Sequence, residues 1–411
     1  MVSSLWWPGD HRAGDLMSDA AFLRALLEVE AAWLRVLRLV GVAPDEATED
    51  LTKLVGQSDL DRLATEAESG GNPVIPLVAM LRERLTAPTT DWLHRGLTSQ
   101  DVVDTALMLC ARDTVGVVRE HITTQVSQLA KIAEEHRDAP MVARTLTQHA
   151  VPTTFGAKAA SWLQGVLDAD DDLAALWFPA QAGGAAGTLA ALVELADVER
   201  ARLGHAYLAR ELGMAAAPPW HTVRSTVTRI GDAAVRTSDA WGRIANDVLL
   251  LGRPEVGELF ESSGGGSSTM PQKANPVRAV LIRRAALAAP LLGANLHAAS
   301  ADQVDERASG AWHVEWDTLA TLLRRTVVAA AHTTDMLAGL AVFPEQMAAR
   351  LGAVRAQVRA EQESMAALVG REAGESYDGL AGDLVDETLE RARLRGDAPR
   401  SAAPTMEEDR P

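Results

Sequence analysis

Ser99-Gln100-Asp101-Val102-Val103-Asp104-Thr105-Ala106-Leu107-Met108-Leu109-Cys110-Ala111 opens a run that continues to about Lys131 with one glycine, Gly116, and no proline. Without breakers, and with a Thr98 or Ser99 hydroxyl at its start to accept from the first free N–H groups, the run predicts one long helix. A typical globular helix has about a dozen residues, so a segment of this length belongs in an extended bundle.

The flanking sequence repeats the theme. Phe22, Leu26, Val29, Trp33, Val36 and Val40 fall at alternating spacings of four and three, on one helical stripe. Gly41 and Pro44 end it, and Gly70-Gly71-Asn72-Pro73 separates helices expected at about 45–68 and 76–85. Further long helices are expected at about 154–176, 187–212, 221–252, 275–299 and 311–341. The stretch from Pro344 to Arg395 reads as more charged helix, and 396–411 as a disordered tail. Aromatic residues make up 4% of the 411, which argues against strands, so the expected class is all-α. Three parts are expected: an N-terminal helical domain at 1–100, a central bundle at 101–341 with a functional loop at 258–276, and a small C-terminal helical domain at 342–411.

The formal charge of -17 repels polyphosphate, and no basic stripe offsets it, so nucleic acid is not an expected partner. One cysteine, Cys110, excludes an internal disulfide framework and sits in an apolar run as a core residue would. No basic leader followed by an apolar stretch opens the chain, and no later segment holds about 18 uncharged apolar residues. A cytoplasmic protein without membrane partners is therefore the expectation.

Chemistry concentrates in Gly264-Gly265-Gly266-Ser267-Ser268-Thr269-Met270-Pro271-Gln272-Lys273-Ala274-Asn275-Pro276. Small residues precede a helix expected to begin near Asn275, so backbone N–H groups can converge where a carboxylate would sit, with the Lys273 charge beside them. A flexible linker would not carry the Met-Pro-Gln-Lys-Ala-Asn-Pro that follows. The segment resembles the signature of the fumarase/aspartase superfamily, Gly-Ser-Ser-x-Met-Pro-x-Lys-x-Asn-Pro. That resemblance implies a homotetramer with a many-helix core, active sites built from three subunits, a mobile catalytic loop and no cofactor or metal. It implies that Ser267 takes a proton from the carbon beside a carboxylate, and that Lys273 and Asn275 hold the substrate and its developing charge. Ser268 and Met270 fall among the expected substrate contacts. A serine hydroxyl is too weak an acid to ionise alone at neutral pH, so loop amides and Lys273 must stabilise its anion, and donors must also await the aci-carboxylate dianion.

His94-Arg95-Gly96-Leu97-Thr98-Ser99-Gln100-Asp101 is similar to the His-x-Gly-x-Thr-Ser-x-Asp segment of the adenylosuccinate lyase and carboxymuconate cycloisomerase branch. The likeness makes Thr98, Ser99 and Gln100 substrate contacts and His94 a candidate acid or electrostatic partner. Arg144-Thr145-Leu146-Thr147-Gln148-His149 resembles a segment that reads Arg-Thr-His-x-Gln in fumarases and adenylosuccinate lyases, whose histidine serves proton transfer at the departing group. Leu146 stands in its place, a substitution found among carboxymuconate cycloisomerases. Thr147 and Gln148 remain candidate contacts, and His149 could replace the missing acid, but its neighbouring position faces another side of a strand or helix.

Trp220-His221-Thr222-Val223-Arg224 and Glu306-Arg307-Ala308-Ser309-Gly310-Ala311-Trp312-His313 also resemble the cycloisomerases. Arg307 could clamp a carboxylate bidentately, and His221 could lie near the same cavity. The glycines of 181–187 lack the Lys-Ser or Lys-Thr of a phosphate loop and are expected to serve close helix packing. Gln272 and Ser225-Thr226 depart from the branch pattern by removing titratable or charged groups. The expected function is thus a lyase or cycloisomerase acting on a polycarboxylate, nearest to 3-carboxy-cis,cis-muconate cycloisomerases. The alternatives are a fumarate-releasing lyase on a succinyl substrate bearing an amine or nitro group, and a non-catalytic structural relative.

Overall fold

The computed structural model describes residues 4–262, 264–266, 269–270 and 273–397. Ser18 opens α1 (Asp19–Leu39) by accepting from Ala21 N at 3.2 Å. The stripe behaves as its spacing requires: Leu26, Val29, Trp33 and Val36 are buried, and Trp33 Nε1 donates to Arg95 O at 2.7 Å. The helix expected from residue 45 is shorter. Asp50 accepts from Thr52 N and Asp59 from Gly56 N, so side chains satisfy the backbone in 3₁₀ turns and α2 (Leu60–Gly70) starts only afterwards. The helices α3 (Val74–Arg84) and α4 (Thr89–Trp92) lead to Thr98.

The decisive run forms α5 (Ser99–Glu135), 37 residues and so about 55 Å long at 1.5 Å per residue. Next come β1 (Pro140–Thr145) and β2 (Gln148–Thr154), an antiparallel hairpin that the all-helical expectation does not contain. Thr154 then caps α6 (Phe155–Ala174). The single helix expected over 187–212 is two, α7 (Ala190–Leu195) and α8 (Val198–Glu211), because the Asp197 carboxylate accepts from Arg200 N at 2.8 Å and starts a new helix.

The helices α9 (Ser225–Leu251), α10 (Val277–Ala301) and α11 (Ala311–Ala338) complete a bundle with α5 and α6. A Cβ on Gly242 would lie 2.5 Å from Ala286 Cβ, so α9 and α10 meet closely only because that residue is glycine. By length and composition α10 is apolar enough to cross a membrane; it packs between α9 and α11 but leaves Val280, Leu287 and Leu291 exposed. Short strands β3 (Leu259–Glu261) and β4 (Leu340–Val342) pair at one end of the bundle. The chain finishes with α12 (Pro344–Leu368) and α13 (Ala381–Asp397), separated by a non-helical stretch. Helix α13 extends into the expected tail, whose residues 398–411 lie outside the described residues.

Candidate active site

At the start of α5, Thr98 N donates to Asp101 Oδ2 at 2.9 Å, closing the first turn on its own carboxylate. The same carboxylate accepts from Gly183 N (2.8 Å) and Gly184 N (2.9 Å) and meets His221 Nε2 at 2.8 Å. The glycine segment is therefore a loop wrapped against the α5 N-terminus, which corrects its reading as helix packing. A Cβ at Gly183 would come within 2.7 Å of the His221 ring and 2.9 Å of Pro219, so the loop closes only around glycine. Beneath it Arg224 is fully buried, forked between Asp104 (2.7 and 2.9 Å) and Glu315, with Trp220 beneath its guanidinium and Trp312 Nε1 donating to Asp104. Burial favours loss of the Arg224 proton, but Asp104 and Glu315 outweigh it and hold its pKa above the ordinary value. Burial likewise pushes Glu315 up against the opposing pull of Arg224.

This floor carries one group of expected site residues. Arg307 Nη2, on an exposed side chain, donates to Thr98 Oγ1 at 2.6 Å, with partly exposed Ser99 as the first residue of the helix. His94 lies four residues upstream with a left-handed backbone (φ 62°), its Nδ1 2.6 Å from Glu30 Oε1. Gln100 is not available as a substrate contact: it is wholly buried, and its Nε2 is spent on Asp104 and the His221 carbonyl. The helical turn that exposes Ser99 turns Gln100 inward.

A second group sits on the β1–β2 hairpin. Leu146 and Thr147 both have positive φ (47° and 70°), the geometry of a two-residue turn, and Leu146 is 96% exposed at its tip. Gln148 is exposed and donates to Thr147 Oγ1. In the strand register His149 opposes Arg144, which is bound bidentately to buried Glu258 at 3.0 and 2.6 Å. Strand alternation thus directs His149 to the face opposite Gln148, beside Arg144.

The third group is the glycine-serine loop. Gly265 and Asn275 exchange backbone hydrogen bonds (2.9 and 2.8 Å), and Asn275 Nδ2 reaches Gly266 O, so Asn275 closes the neck of the loop. A Cβ on Gly264 would lie 2.3 Å from Asn275 O, which requires glycine there. Lys273 and Met270 are exposed. Ser267, Ser268 and Gln272 lie outside the described residues. The helix start differs from the expected one near Asn275. Helix α10 starts at Val277, and its first N–H groups are taken: Arg278 N and Ala279 N donate to the Glu261 carboxylate at 2.9 and 3.1 Å. The protein's own acid thus takes the first amides of α10, which leaves any carboxylate contact to the loop that precedes it.

The structure unites His94, Thr98, Ser99 and Arg307 but keeps them apart from the other two groups. Arg307 lies just before α11, whereas the loop adjoins its far end, where Ser262 N donates to Gly339 O at 2.9 Å. The intervening 28 residues span about 40 Å. Sequence reasoning missed Glu30, Asp101, Glu258 and Glu261. For Glu30 a signal existed, an acid four residues after Leu26 and three before Trp33, on the apolar stripe of α1. No group of three or more His, Cys, Asp or Glu suited to a metal occurs among the described residues.

A long helical bundle with the Arg307–Thr98 contact at one end and a glycine-serine loop at the other has the build of a helical lyase. The chain belongs to the lyase family of the fumarase/aspartase superfamily, whose model, described as Lyase, matches residues 45–290, and it is an enzyme by that membership. A nitrosuccinate lyase of Streptomyces davaonensis is 41% identical over 361 residues, covering 84% of this chain and 76% of the relative. A 3-carboxy-cis,cis-muconate cycloisomerase of Pseudomonas aeruginosa is 36% identical over 391 residues, covering 92% and 82%. The crystal structure of the 3-carboxy-cis,cis-muconate lactonizing enzyme from Pseudomonas putida superposes with a TM-score of 0.77 at 29% identity, covering 93% of this chain and 86% of that one.

Proposed function

We propose that this enzyme takes a proton from the carbon beside a substrate carboxylate, with Ser267 as base, and passes through an aci-carboxylate to expel a weakly basic anion. The observation that carries the reading is the contact between Arg307 and Thr98 at the N-terminus of α5. It joins a guanidinium, a hydroxyl and a helix dipole where a carboxylate is best held. Lys273 and Asn275 stabilise the dianion as it forms, while Thr147 and Gln148 contact the substrate from the hairpin. The proposed substrate is a polycarboxylate, and the residues call for no metal or organic cofactor.

The exposed Leu146 at the hairpin tip limits the leaving group. Water or an amine must be protonated as it departs, but a ring-opened carboxylate or nitrite leaves as a stable anion without an acid. We therefore favour interconversion of 3-carboxy-cis,cis-muconate and its lactone, as in aromatic-acid breakdown. The 41% identity to a nitrosuccinate lyase favours a second reading, elimination of nitrite from nitrosuccinate with release of fumarate. Because the base loop and the carboxylate site stand about 40 Å apart in one chain, the working site is proposed to combine segments of several subunits in a homotetramer. Assaying the purified protein with the carboxymuconate lactone, nitrosuccinate, adenylosuccinate and argininosuccinate tests the proposal. Turnover of either of the first two, with no turnover of the amine-releasing pair, is expected. Turnover of the amine-releasing pair alone would refute the leaving-group argument.

A further inference from the structure

His94 and Glu30 lie 64 residues apart in sequence, yet Nδ1 and Oε1 stand 2.6 Å apart. Glu30 projects from α1 into the interior with none of its side chain exposed, and its second oxygen, Oε2, has no hydrogen-bond partner. A buried carboxylate half-satisfied in this way is costly unless a positive charge compensates it. Among the described residues His94 is its ion-pair partner. His94 itself adopts a left-handed backbone that a non-glycine residue occupies only when its surroundings force it. The loop is held in that shape from both sides, by Trp33 Nε1 on Arg95 O (2.7 Å) and by Arg82 on Leu93 O (3.2 Å). The result keeps His94 17% exposed, with no partner for Nε2 among the described residues, four positions before the Thr98 hydroxyl that receives Arg307.

We infer that Glu30 is a positioning residue for this reaction: it fixes the orientation of the His94 ring and holds it as an imidazolium, so that Nε2–H presents a second positive charge to the substrate carboxylate beside Thr98 and Arg307. The inference rests on the proposed carboxylate reading of that site. The charges around the ring are consistent with it. Burial, the largest single influence, pulls the His94 pKa down, and Arg82 on α3 adds to that pull. The charge and hydrogen bond of Glu30 on α1, with a smaller contribution from Asp101 on α5, outweigh both and leave the pKa raised. With a raised pKa the imidazolium is fully present at low pH and is lost as pH rises through the shifted value. Carboxylate affinity should weaken across that upper range.

The test follows the His94 ring directly in the full-length protein by NMR of ¹³C-labelled histidine, its signal identified by loss in His94→Gln. Calorimetric binding of fumarate as a dicarboxylate probe is measured over the same pH range. In the wild-type protein His94 should titrate above an ordinary histidine. Glu30→Gln should lower that midpoint by about one pH unit or more, as removal of an adjacent opposite charge does. The alkaline fall in fumarate affinity should move down with it, and Glu30→Asp should recover part of both. A His94 titration indifferent to Glu30→Gln and Glu30→Asp would overturn the dyad. A titration that moves while fumarate affinity ignores it, or fumarate that does not bind, would leave the pair intact and overturn the carboxylate reading on which the inference depends.

Discussion

The two ends of the bundle are built on opposite plans. At the N-terminus of α5 the expected contacts Thr98 and Ser99 rest on buried side chains that are almost all paired: Asp101 with His221 and two glycine amides, Asp104 and Glu315 with Arg224, Glu30 with His94. At the other end Leu146, Thr147, Gln148, Lys273 and Met270 stand exposed, and the buried acids there, Glu258 and Glu261, serve the hairpin and the start of α10. A rigid, charge-compensated floor can hold a carboxylate in place before reaction. Exposed residues on a hairpin tip and a glycine-necked loop gain a role only when another surface meets them. The comparison supports a division of labour in which one chain supplies binding to one site and base to another.

The largest effect should come from breaking the buried floor. Arg224→Met leaves Asp104 and Glu315 without their counter-charge, and removing one partner of such a buried set costs about 3–5 kcal/mol. Denaturant unfolding of the variant should show that loss, whereas a change below about 1 kcal/mol would mean that the network is not under load.

At the opposite end, Ser267→Ala should lower kcat by more than about a hundredfold while substrate affinity stays within about tenfold, since a base acts in the transition state. Steady-state kinetics with Ser268→Ala in parallel would expose a misassigned base. Between these extremes, Arg307→Ala should act chiefly on KM, raising it about tenfold or more by removing a charge-assisted hydrogen bond from the ground state. A kcat defect with unchanged KM would move Arg307 from binding to chemistry. The smallest effect belongs to Cys110, where burial, with Asp113 adding to it, pushes the thiol pKa up to about 12. Iodoacetamide at pH 8 should leave the native enzyme unlabelled and fully active, and mass spectrometry checks both.

What the sequence disclosed follows from how local each signal is. The first helix was readable from its 3.6-residue apolar period, the longer ones because they run almost without breakers behind a capping residue, and the loop because so many of its positions are spelled out in one stretch. Gln100 misled because one position along a helix separates a surface from a core, and the motif string does not record which way each residue turns. The capping of α10 by Glu261, the wrapping of 181–187 around Asp101 and the Glu30–His94 pair join residues from 17 to 83 positions apart. Such pairings depend on how the elements pack, which periodicity does not reveal. The break of the expected 187–212 helix at Asp197 was legible in principle, as a capping residue within a helical run.

The central claim, that the two ends of one chain serve different active sites, is tested by subunit mixing. Ser267→Ala and Arg307→Ala proteins are denatured together, refolded as hybrids and assayed with substrate well below KM, where both parents are impaired, the second through its raised KM. The account predicts that the mixture regains activity well above either parent refolded alone, because some sites then combine an intact Ser267 from one chain with an intact Arg307 from another. A refolded hybrid assembly no more active than its parents would contradict it, and so would a stable monomer with full activity in light scattering.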